Sequence, residues 1–463
     1  MSSEQSDKSC KDGVLSSFLH SLEECSEKND MLMDKVPDLL REQNVNAYTP
    51  TTVSIGPLHR KTERLQVMEP VKLSYTRALL ARTADSKRTK RNCSKAMLET
   101  AGKVRECYEP ARLPPWSGDS PNSWLAEVML IDGCFIIELL LRNLKKQYDP
   151  ILSNPFKCYA VQRDLLLLEN QIPFFVLEDL FDIIVKEIWP RTSPLTQWVL
   201  KFFGNIMGIE KYKHIKDQFP FHILHLLHIQ YLPAWTDDDN VNNRIGIWVD
   251  MEEEDMEEED MEEEDDGIEI IENRINYSAT ELRLAGVELK AGKERNLFHI
   301  KFSTAFSCTS CSSLFRKGHL EIPSFLIFDS TESFLRNFIA FEQSYHFIHK
   351  YFTSFAFLMD ILIDTPKDVK LLEEAGIIRN NLGSREEVAQ LFNGICRNAI
   401  PRRFLYGEQY KDAMNFCNHW RLSTRRVRQY YFGNPWSGIS VFAAIILFVL
   451  TFLSTLYTML SYY

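Results

Sequence analysis

The sequence predicts a mainly α-helical protein, with a large helical cytosolic domain, a small β-hairpin and one C-terminal transmembrane helix. Three observations carry this prediction. Residues 439–460 form one uncharged, apolar run. Two further segments, Glu127 to Leu144 and Asp164 to Ile188, are too long and too apolar to be single strands. Leu297 to Ser303 instead alternates apolar and polar residues, which is typical of a half-buried strand, and Leu320 to Phe328 supplies a second extended run for a hairpin.

The apolar run near the C-terminus has the length and the flanks expected of a membrane span. At about 1.5 Å per residue it covers about 33 Å, compared with about 30 Å for a hydrocarbon core. No basic residue follows it, and the basic residues shortly before it are Arg421, Arg425, Arg426 and Arg428. We therefore expect 436–460 to cross a membrane once, with the lipid bilayer as its partner and the N-terminal domain in the cytosol. A buried C-terminal helix is the alternative.

The N-terminus predicts how such a protein would reach its membrane. Met1 to Gly13 is polar and mixed in charge, unlike a secretory signal. The sequence therefore predicts a single-pass, tail-anchored protein, inserted after synthesis into the endoplasmic reticulum or plasma membrane. The ten cysteines are expected to be mostly free thiols in a reducing compartment.

The domain prediction follows from composition. Residues 1–33 are a polar N-terminal extension, and 34–434 form one helical domain that contains an acidic low-complexity insertion at 250–266. This insertion carries 14 acidic and no basic residues, including three copies of Met-Glu-Glu-Glu-Asp, and we expect it to be disordered. Without it the net charge changes from −11 to +3, so the folded part gives no general argument for nucleic-acid binding.

Two motifs are predicted to have structural roles. In Val53-Ser-Ile-Gly-Pro-Leu-His59, Gly56 and Pro57 break any regular element, which favours a shaped loop laid against the core; a loop that presents His59 for chemistry is the alternative. In Glu169-Asn-Gln-Ile-Pro173, a helix is expected to end near Glu169 and another to start near Pro173, with Asn170 or Gln171 as its cap.

Several groups of residues have spacings that a metal or redox site would require. Each also has a simpler interpretation as packed or loop residues, and we expect neither a metal nor a cofactor. The groups are His222, His225 and His228 on one apolar helix; Cys308 and Cys311 with His299 and His319; and Glu342 with His346 and His349.

A basic cluster lies in the polar helical segment before the first long apolar helix. A solvated helix end is the default interpretation, and a phosphate-binding or nuclear-import role is the alternative. The cluster consists of Lys87, Arg88, Lys90 and Arg91.

The carboxylates that interrupt the most apolar segments suggest an alternative class of protein, a hydrolase. Such groups in a cleft can have raised pKa values and act as general acids or bases. The simpler explanation is burial beside Arg142 or Arg163. The candidates are Asp132, Glu138, Asp164 and Glu169. No phosphate-binding glycine loop or nucleophile elbow occurs, so we expect a protein that is not an enzyme.

Several strings, in this order, resemble the plant family called domain of unknown function 247. The most specific is the segment Asp164-Leu-Leu-Leu-Leu-Glu-Asn-Gln-Ile-Pro-Phe-Phe-Val-Leu. The others are Tyr48-Thr-Pro with Val53-Ser-Ile-Gly-Pro, Ala279-Thr-Glu-Leu-Arg-Leu-Ala-Gly-Val, Phe334-Leu-Arg-Asn-Phe-Ile-Ala-Phe-Glu-Gln, Tyr351-Phe-Thr-Ser-Phe, Asn381-Leu-Gly-Ser and Asn434-Pro-Trp. The resemblance covers about Asp34 to Tyr463.

The resemblance implies a plant protein of mainly helical fold, with a C-terminal membrane helix and no established enzymatic activity. Some relatives in grasses are implicated in pollen self-incompatibility, a recognition role, which extends to this chain only as an analogy. We therefore expect a membrane-anchored protein that acts in protein recognition or signalling and binds an unidentified protein partner.

Overall fold

A computed structural model of the 463-residue chain is mainly helical, as predicted. It describes residues 33, 35–108, 113, 120–207, 220–232, 277–293, 296–306, 316–345, 348–401, 404–418 and 435–461. The predicted N-terminal extension up to residue 32 and the acidic insertion at 250–266 lie outside the described residues.

The helices begin and end as follows. They are α1 (Asp38–Arg41), α2 (Val45–Tyr48), α3 (Glu69–Leu80), α4 (Ser86–Glu106), α5 (Pro121–Leu144), α6 (Pro155–Asp164), α7 (Phe174–Ile188), α8 (Leu195–Met207), α9 (Ile223–Tyr231), α10 (Ala279–Leu284), α11 (Thr331–Ser344), α12 (Tyr351–Leu362), α13 (Pro366–Glu374), α14 (Arg385–Ile395) and α15 (Pro435–Ser461). A 3₁₀ helix spans Glu63–Met68, and residues 407–418 are also helical.

The described strands form two small sheets. Strands β1 (Val287–Gly292), β2 (Lys301–Phe306) and β3 (Arg316–Pro323) lie in the order β1-β3-β2, with β3 antiparallel to β2 and parallel to β1. Strands β4 (Phe325–Ile327) and β5 (Ile378–Asn380) pair in parallel. The predicted hairpin is present in part as the β2–β3 pair: β2 begins at Lys301 rather than Leu297. The second predicted run is divided between β3 and β4, and Pro323 ends β3 because proline cannot donate to a strand ladder.

Strand β1 was not predicted, although its sequence carries the signal. Val287 is buried, and the apolar positions Val287, Leu289 and Ala291 alternate with charged or small residues. The parallel partner of β1 lies about 30 residues later in the chain. Such a pairing cannot be read from a local pattern alone.

The first compact unit comprises Met1–Asp255, Asp329–Thr353 and Gly394–Ile400 and is built around α5. This helix begins at a proline, which suits the first helical position, and it is buried almost continuously from Leu125 to Leu141. Helices α3, α4, α7 and α8 pack against it. A Cβ at Gly133 would lie 2.5 Å from the Leu180 side chain, so glycine is what lets α7 come this close to α5.

The second compact unit comprises Met256–Phe328, Ser354–Asn393 and Pro401–Tyr463 and contains both sheets. Helices α10 and α13 each begin with a capping box, in which the side chain of the N-cap residue and the acid at the third helical position accept each other's backbone N–H groups. The Asp368 carboxylate of one box also accepts the backbone N–H of Thr280 at 2.8 Å, and this bond joins the starts of the two helices.

The prediction of a C-terminal transmembrane helix is not supported by the structure. Residues 435–461 do form a helix, α15, and its described side chains, 442–458, are exposed. Within the part of the chain that the structure describes, no helix has both the length and the apolar character to cross a membrane.

Candidate functional site

The loop from Thr51 to Arg60 packs against the core of the first unit, as predicted. Residues 53–56 are buried, and Gly56 has a φ of +74°. A Cβ at Gly56 would lie 2.6 Å from the carbonyl oxygen of Gln171. Both the backbone conformation and the close approach therefore require glycine at this position.

The C-terminal residue of α6, Asp164, holds the start of this loop. Its fully buried carboxylate accepts the backbone N–H groups of Thr51 at 3.0 Å, Thr52 at 2.6 Å and Val53 at 3.0 Å. Arg163 pairs with its other oxygen at 3.0 Å. Burial raises the pKa of Asp164, and the loop N–H groups and Arg163 offset only part of that increase.

The middle of the loop is bound by Asn170. Its side-chain oxygen accepts the N–H of Ile55 at 2.8 Å, and its amide donates to the carbonyl of Val53 at 3.0 Å. The neighbouring Gln171 donates to the carbonyls of Leu165 and Leu167 instead. The prediction that Asn170 or Gln171 caps the next helix is therefore wrong, because Pro173 precedes α7 without a side-chain cap and the loop takes the amide of Asn170.

The end of the loop is bound by Asp132 of α5. One carboxylate oxygen accepts the N–H of Gly56 at 2.9 Å, and the other is shared by Arg60 at 2.9 Å and Lys72 at 2.6 Å. Lys72 is itself fully buried and also donates to the carbonyl of Ser54 at 2.8 Å. Every oxygen of this carboxylate is thus engaged.

Glu169 fixes the chain that precedes the loop. Its carboxylate accepts the N–H of Val36 at 3.0 Å and pairs with Arg41 and, at 3.3 Å, with His59. Burial alone would raise the pKa of Glu169, but His59 and Arg41 outweigh it and the pKa is lowered. The side chains of Arg41 and His59 are only 18% and 16% exposed, so the pairs are shielded from water.

We call Asp132, Asp164, Glu169 and Asn170 the polar clasp, because together they hold residues 36–60 on the helical core. A charge-assisted hydrogen bond to a backbone N–H is worth about 1.5–3 kcal/mol when it is buried. The clasp is therefore a major determinant of how the N-terminal part of the first unit is placed.

The fourth candidate carboxylate, Glu138, belongs to a separate ion-pair network. Arg82 binds both of its oxygens, at 3.0 and 2.7 Å, and Arg142 binds one at 2.7 Å. Arg142 also reaches Asp149, which accepts the hydroxyl of Tyr75 at 2.6 Å. Burial is the main cause that raises the pKa of the Tyr75 phenol well above its usual value, and the hydrogen bond to Asp149 raises it further.

Sequence reasoning found only part of these pairs. It named Arg142 and Arg163, and the structure places them on Glu138 and Asp164. The sequence analysis did not identify the cations that bind Asp132 and Glu169, because those cations lie in helices and loops far away in the chain. The missed residues are Lys72 and Arg60 on Asp132 and Arg41 on Glu169.

The three histidines at the start of and within α9, His222, His225 and His228, are buried and pack among aromatic side chains. His222 caps α9 by accepting the N–H of His225 at 3.1 Å, and His228 lies 2.8 Å from Glu342. Burial lowers the pKa of His222 to about 3 and that of His225 well below its usual value, so both rings are neutral near pH 7. No group of three potential ligands that could hold a metal ion occurs among the described residues.

The remaining candidates are not brought together into a site that the structure describes. Cys308, Cys311 and His346 lie outside the described residues. His319 contacts Lys290 at 3.1 Å and Glu288 at 3.4 Å. The basic cluster occupies the exposed first turns of α4, in agreement with its interpretation as a solvated helix end.

The geometry favours a structural role for all four candidate carboxylates. A general acid or base needs a proton position that is open to a substrate. Here arginine, lysine, histidine or backbone donors bind each carboxylate. A narrow cavity in the first unit is lined by Tyr159, Arg163, Leu166, Leu167, Ser330, Ser333, Phe334 and Asn337, and none of the four carboxylates lines it.

Comparison with known proteins gives a family. The family model described as "Plant protein of unknown function" (DUF247) matches residues 33–450. UPF0481 protein At3g47200 of Arabidopsis thaliana is 27% identical over 95% of this chain and 88% of its own length. Putative UPF0481 protein At3g02645 of the same plant is 22% identical, over 93% and 90%. No solved structure gives a significant match. Because the model covers nearly the whole chain, this protein belongs to the DUF247 family of plant proteins.

Proposed function

We propose that this protein acts by recognition, binding another protein through its folded surface, rather than by catalysis. The observation that carries the proposal is the saturation of the candidate carboxylates. Asp132, Asp164 and Glu169 hold residues 36–60 in place, and Glu138 is bound by two arginines. Groups used in this way stabilise the fold, and these four carboxylates are not available as acids or bases.

The alternative of a hydrolase would require at least one of these carboxylates to exchange protons with a substrate. The lowered pKa of Glu169 keeps it ionised near pH 7, which does not suit a general acid. Asp164 has a raised pKa, but three backbone N–H groups converge on it, and a protonated carboxyl would lose part of those bonds.

The proposal is tested by separating binding from turnover. Full-length protein is expressed in plant cells with a proximity-labelling tag, as wild type and as Glu169→Gln. Glutamine keeps an oxygen acceptor for the N–H of Val36, so the variant should fold. We expect both proteins to label the same set of partner proteins.

Purified full-length protein is assayed in parallel against ester, phosphoester and glycoside substrates. We expect no turnover above the uncatalysed rate. Hydrolysis by the wild type that disappears in folded Glu169→Gln or Asp132→Asn protein would overturn the proposal. Labelling that does not exceed that of an unrelated tagged protein would also contradict it.

A further inference from the structure

The first turns of α4 carry an exposed basic face, most of whose charges have no acidic partner among the described residues. We define this basic face as Lys87, Arg88, Lys90, Arg91 and Lys95, all exposed. The first four are not within ion-pair distance of any carboxylate among the described residues. Lys95 makes one long, exposed contact with Glu99 at 3.7 Å. An exposed ion pair of this kind contributes little to the stability of the folded protein.

The position of these charges opposes the local rules for helix stability. A helix N-terminus carries a partial positive charge, so acidic residues are favoured in its first turn and basic residues in its last. In α4 the first two turns hold four cations and no acidic residue, and the cap Asp85 accepts the N–H of Arg88 at 2.9 Å. Departures of this kind, without a compensating contact, are expected at functional surfaces.

The opposite side of α4 is fixed on the protein core. Its buried residues are Thr89, Cys93, Met97, Ala101 and Val104, and the helix packs against α5 and α7. The hydroxyl of Thr89 also contacts Glu187 of α7 at 3.2 Å. The basic face therefore lies on a rigid helix, so little backbone conformational entropy is lost when a ligand binds.

One apolar side chain extends the basic face. Leu98 is 51% exposed and lies one helical turn beyond Ser94 and Lys95. Together with Lys90, Arg91 and Glu99 these residues line an open, shallow depression. The surface thus offers several positive charges next to one apolar contact.

These features distinguish between the anionic ligands that a basic helix can bind. A bilayer-binding helix inserts its apolar face, but the apolar face of α4 is buried in the core. Single-stranded nucleic acid needs aromatic side chains for base stacking, and the basic face carries none. An acidic peptide needs only the charges and a small apolar contact.

We infer that the basic face with Leu98 is a docking surface for an acidic segment of a partner protein, one that carries an apolar residue among its carboxylates. The inference rests on the proposed recognition function and names the chemistry of the partner. Charge complementarity would orient the acidic segment on the basic face and increase its rate of association.

The test uses full-length protein and a fluorescent peptide of about 15 residues, rich in Glu and Asp and containing one central Leu. The test variant is K87Q/R88Q/K90Q/R91Q. The matched control, K157Q/K201Q/K317Q/K367Q, removes four positive charges from exposed lysines elsewhere. We expect the Kd to increase at least about tenfold in the test variant and less than about twofold in the control. Binding should also weaken steeply between about 50 and about 300 mM salt.

Further measurements separate the possible outcomes. Thermal unfolding should show that the test variant is folded and no less stable, because the removed cations opposed the helix dipole. Equal loss of binding in the test variant and the control would overturn the docking surface. Tighter binding of an oligonucleotide or of anionic vesicles to this face would also overturn it. Peptide binding that appears only after deletion of 251–265 would assign the face to the chain's own acidic run instead.

Proximity labelling distinguishes failure of this inference from failure of the proposed function. If K87Q/R88Q/K90Q/R91Q protein keeps every partner of the wild type, recognition stands and the basic face is not the docking surface. If the wild type labels no specific partner, the proposed function itself fails. We expect the variant to lose at least one partner that the control keeps.

Discussion

The carboxylate of Asp164 and the backbone N–H of Val53 are 111 residues apart in the chain and are joined by a hydrogen bond of 3.0 Å. The same carboxylate takes the N–H groups of the two preceding residues, so one side chain fixes the path of three consecutive peptide units. This contact connects the end of α6 to a loop that forms no regular element, and it gives three backbone N–H groups of that loop an acceptor that a helix or sheet would otherwise supply.

Replacing Asp164 with asparagine should be strongly destabilising. The isosteric amide removes the charge, and it presents either an NH₂ group or a neutral oxygen, which is a weaker acceptor, to three backbone N–H donors. We therefore expect a loss of about 3 kcal/mol in the free energy of unfolding. Urea denaturation of the purified protein measures it. Asp182→Asn is the control, because Asp182 is 55% exposed and, among the described residues, forms its ion pair with Lys186 on its own helix. Its effect should be within about 0.5 kcal/mol; equal effects of the two changes would argue against the clasp.

The glycine of the loop gives a second prediction. Gly56→Ala places a Cβ 2.6 Å from the carbonyl oxygen of Gln171 at a φ of +74°, so we expect a loss of at least about 2 kcal/mol. Gly102→Ala is the matched control, since a Cβ there meets nothing within 4 Å in the interior of α4. That change should stabilise the protein by about 0.5–1 kcal/mol. Thermal unfolding of both variants should show shifts of opposite sign, and a stable Gly56→Ala protein would contradict the described loop.

Much of this arrangement could be predicted from sequence, and the limits have physical causes. The apolar helices α5 and α7, the shaped loop at 53–59 and the nearby ion pairs of Arg142 and Arg163 all depend on local patterns. The identity of the cations on Asp132 and Glu169 depends on contacts between residues 60 to more than 100 positions apart. No local periodicity encodes such contacts.

Two other sequence-based predictions were limited for different reasons. Strand β1 was missed because its alternating pattern is short and its partner is parallel and distant. The transmembrane helix was inferred from apolar content and flanking charge, and the described residues contain no helix that meets the length and apolar character required. The proline of the Glu169-to-Phe175 segment was placed correctly at the start of a helix, whereas the polar residues before it serve the loop.

Two adjacent phenylalanines of the same motif should differ in their contribution to stability. Phe174 is 1% exposed, whereas Phe175 is half-buried beneath Lys103, whose ammonium lies 4.4 Å from the ring centroid. Phe174→Ala should cost about 3–5 kcal/mol of unfolding free energy because it leaves a core cavity. Phe175→Ala should cost about 1 kcal/mol, from partial burial and one cation–π contact. Guanidinium denaturation of the pair tests this order, and a larger loss for Phe175→Ala would contradict it.

The buried histidines predict how stability depends on pH. Burial lowers the pKa of His222 to about 3 from 6.5, so the unfolded chain takes up this proton before the folded chain does. The stabilisation is therefore complete above about pH 6.5 and decreases as the pH falls from 6.5 toward 3. The slope is at most about 1.4 kcal/mol per pH unit for each such histidine.

His222→Asn isolates this effect, because asparagine is also a good helix cap and does not titrate. Urea denaturation at pH 7, 6 and 5 should show a smaller loss of stability toward low pH for His222→Asn than for the wild type, by up to about 1 kcal/mol per unit. Identical pH profiles for the two proteins would show that this ring does not remain neutral in the folded state.

The central claim is that the candidate carboxylates hold the loop rather than perform chemistry, and native-state hydrogen exchange tests it most directly. The amides of Thr52, Val53 and Gly56 donate to Asp164 or Asp132, so they should exchange only through large opening events, nearly as slowly as amides in the middle of α5. In Asp164→Asn protein, exchange at Thr52 and Val53 should accelerate by at least about tenfold more than exchange at Gly56 and at the α5 amides, which report only the lower global stability. Exchange of these amides in the wild type at the rate of an unstructured peptide would contradict the account.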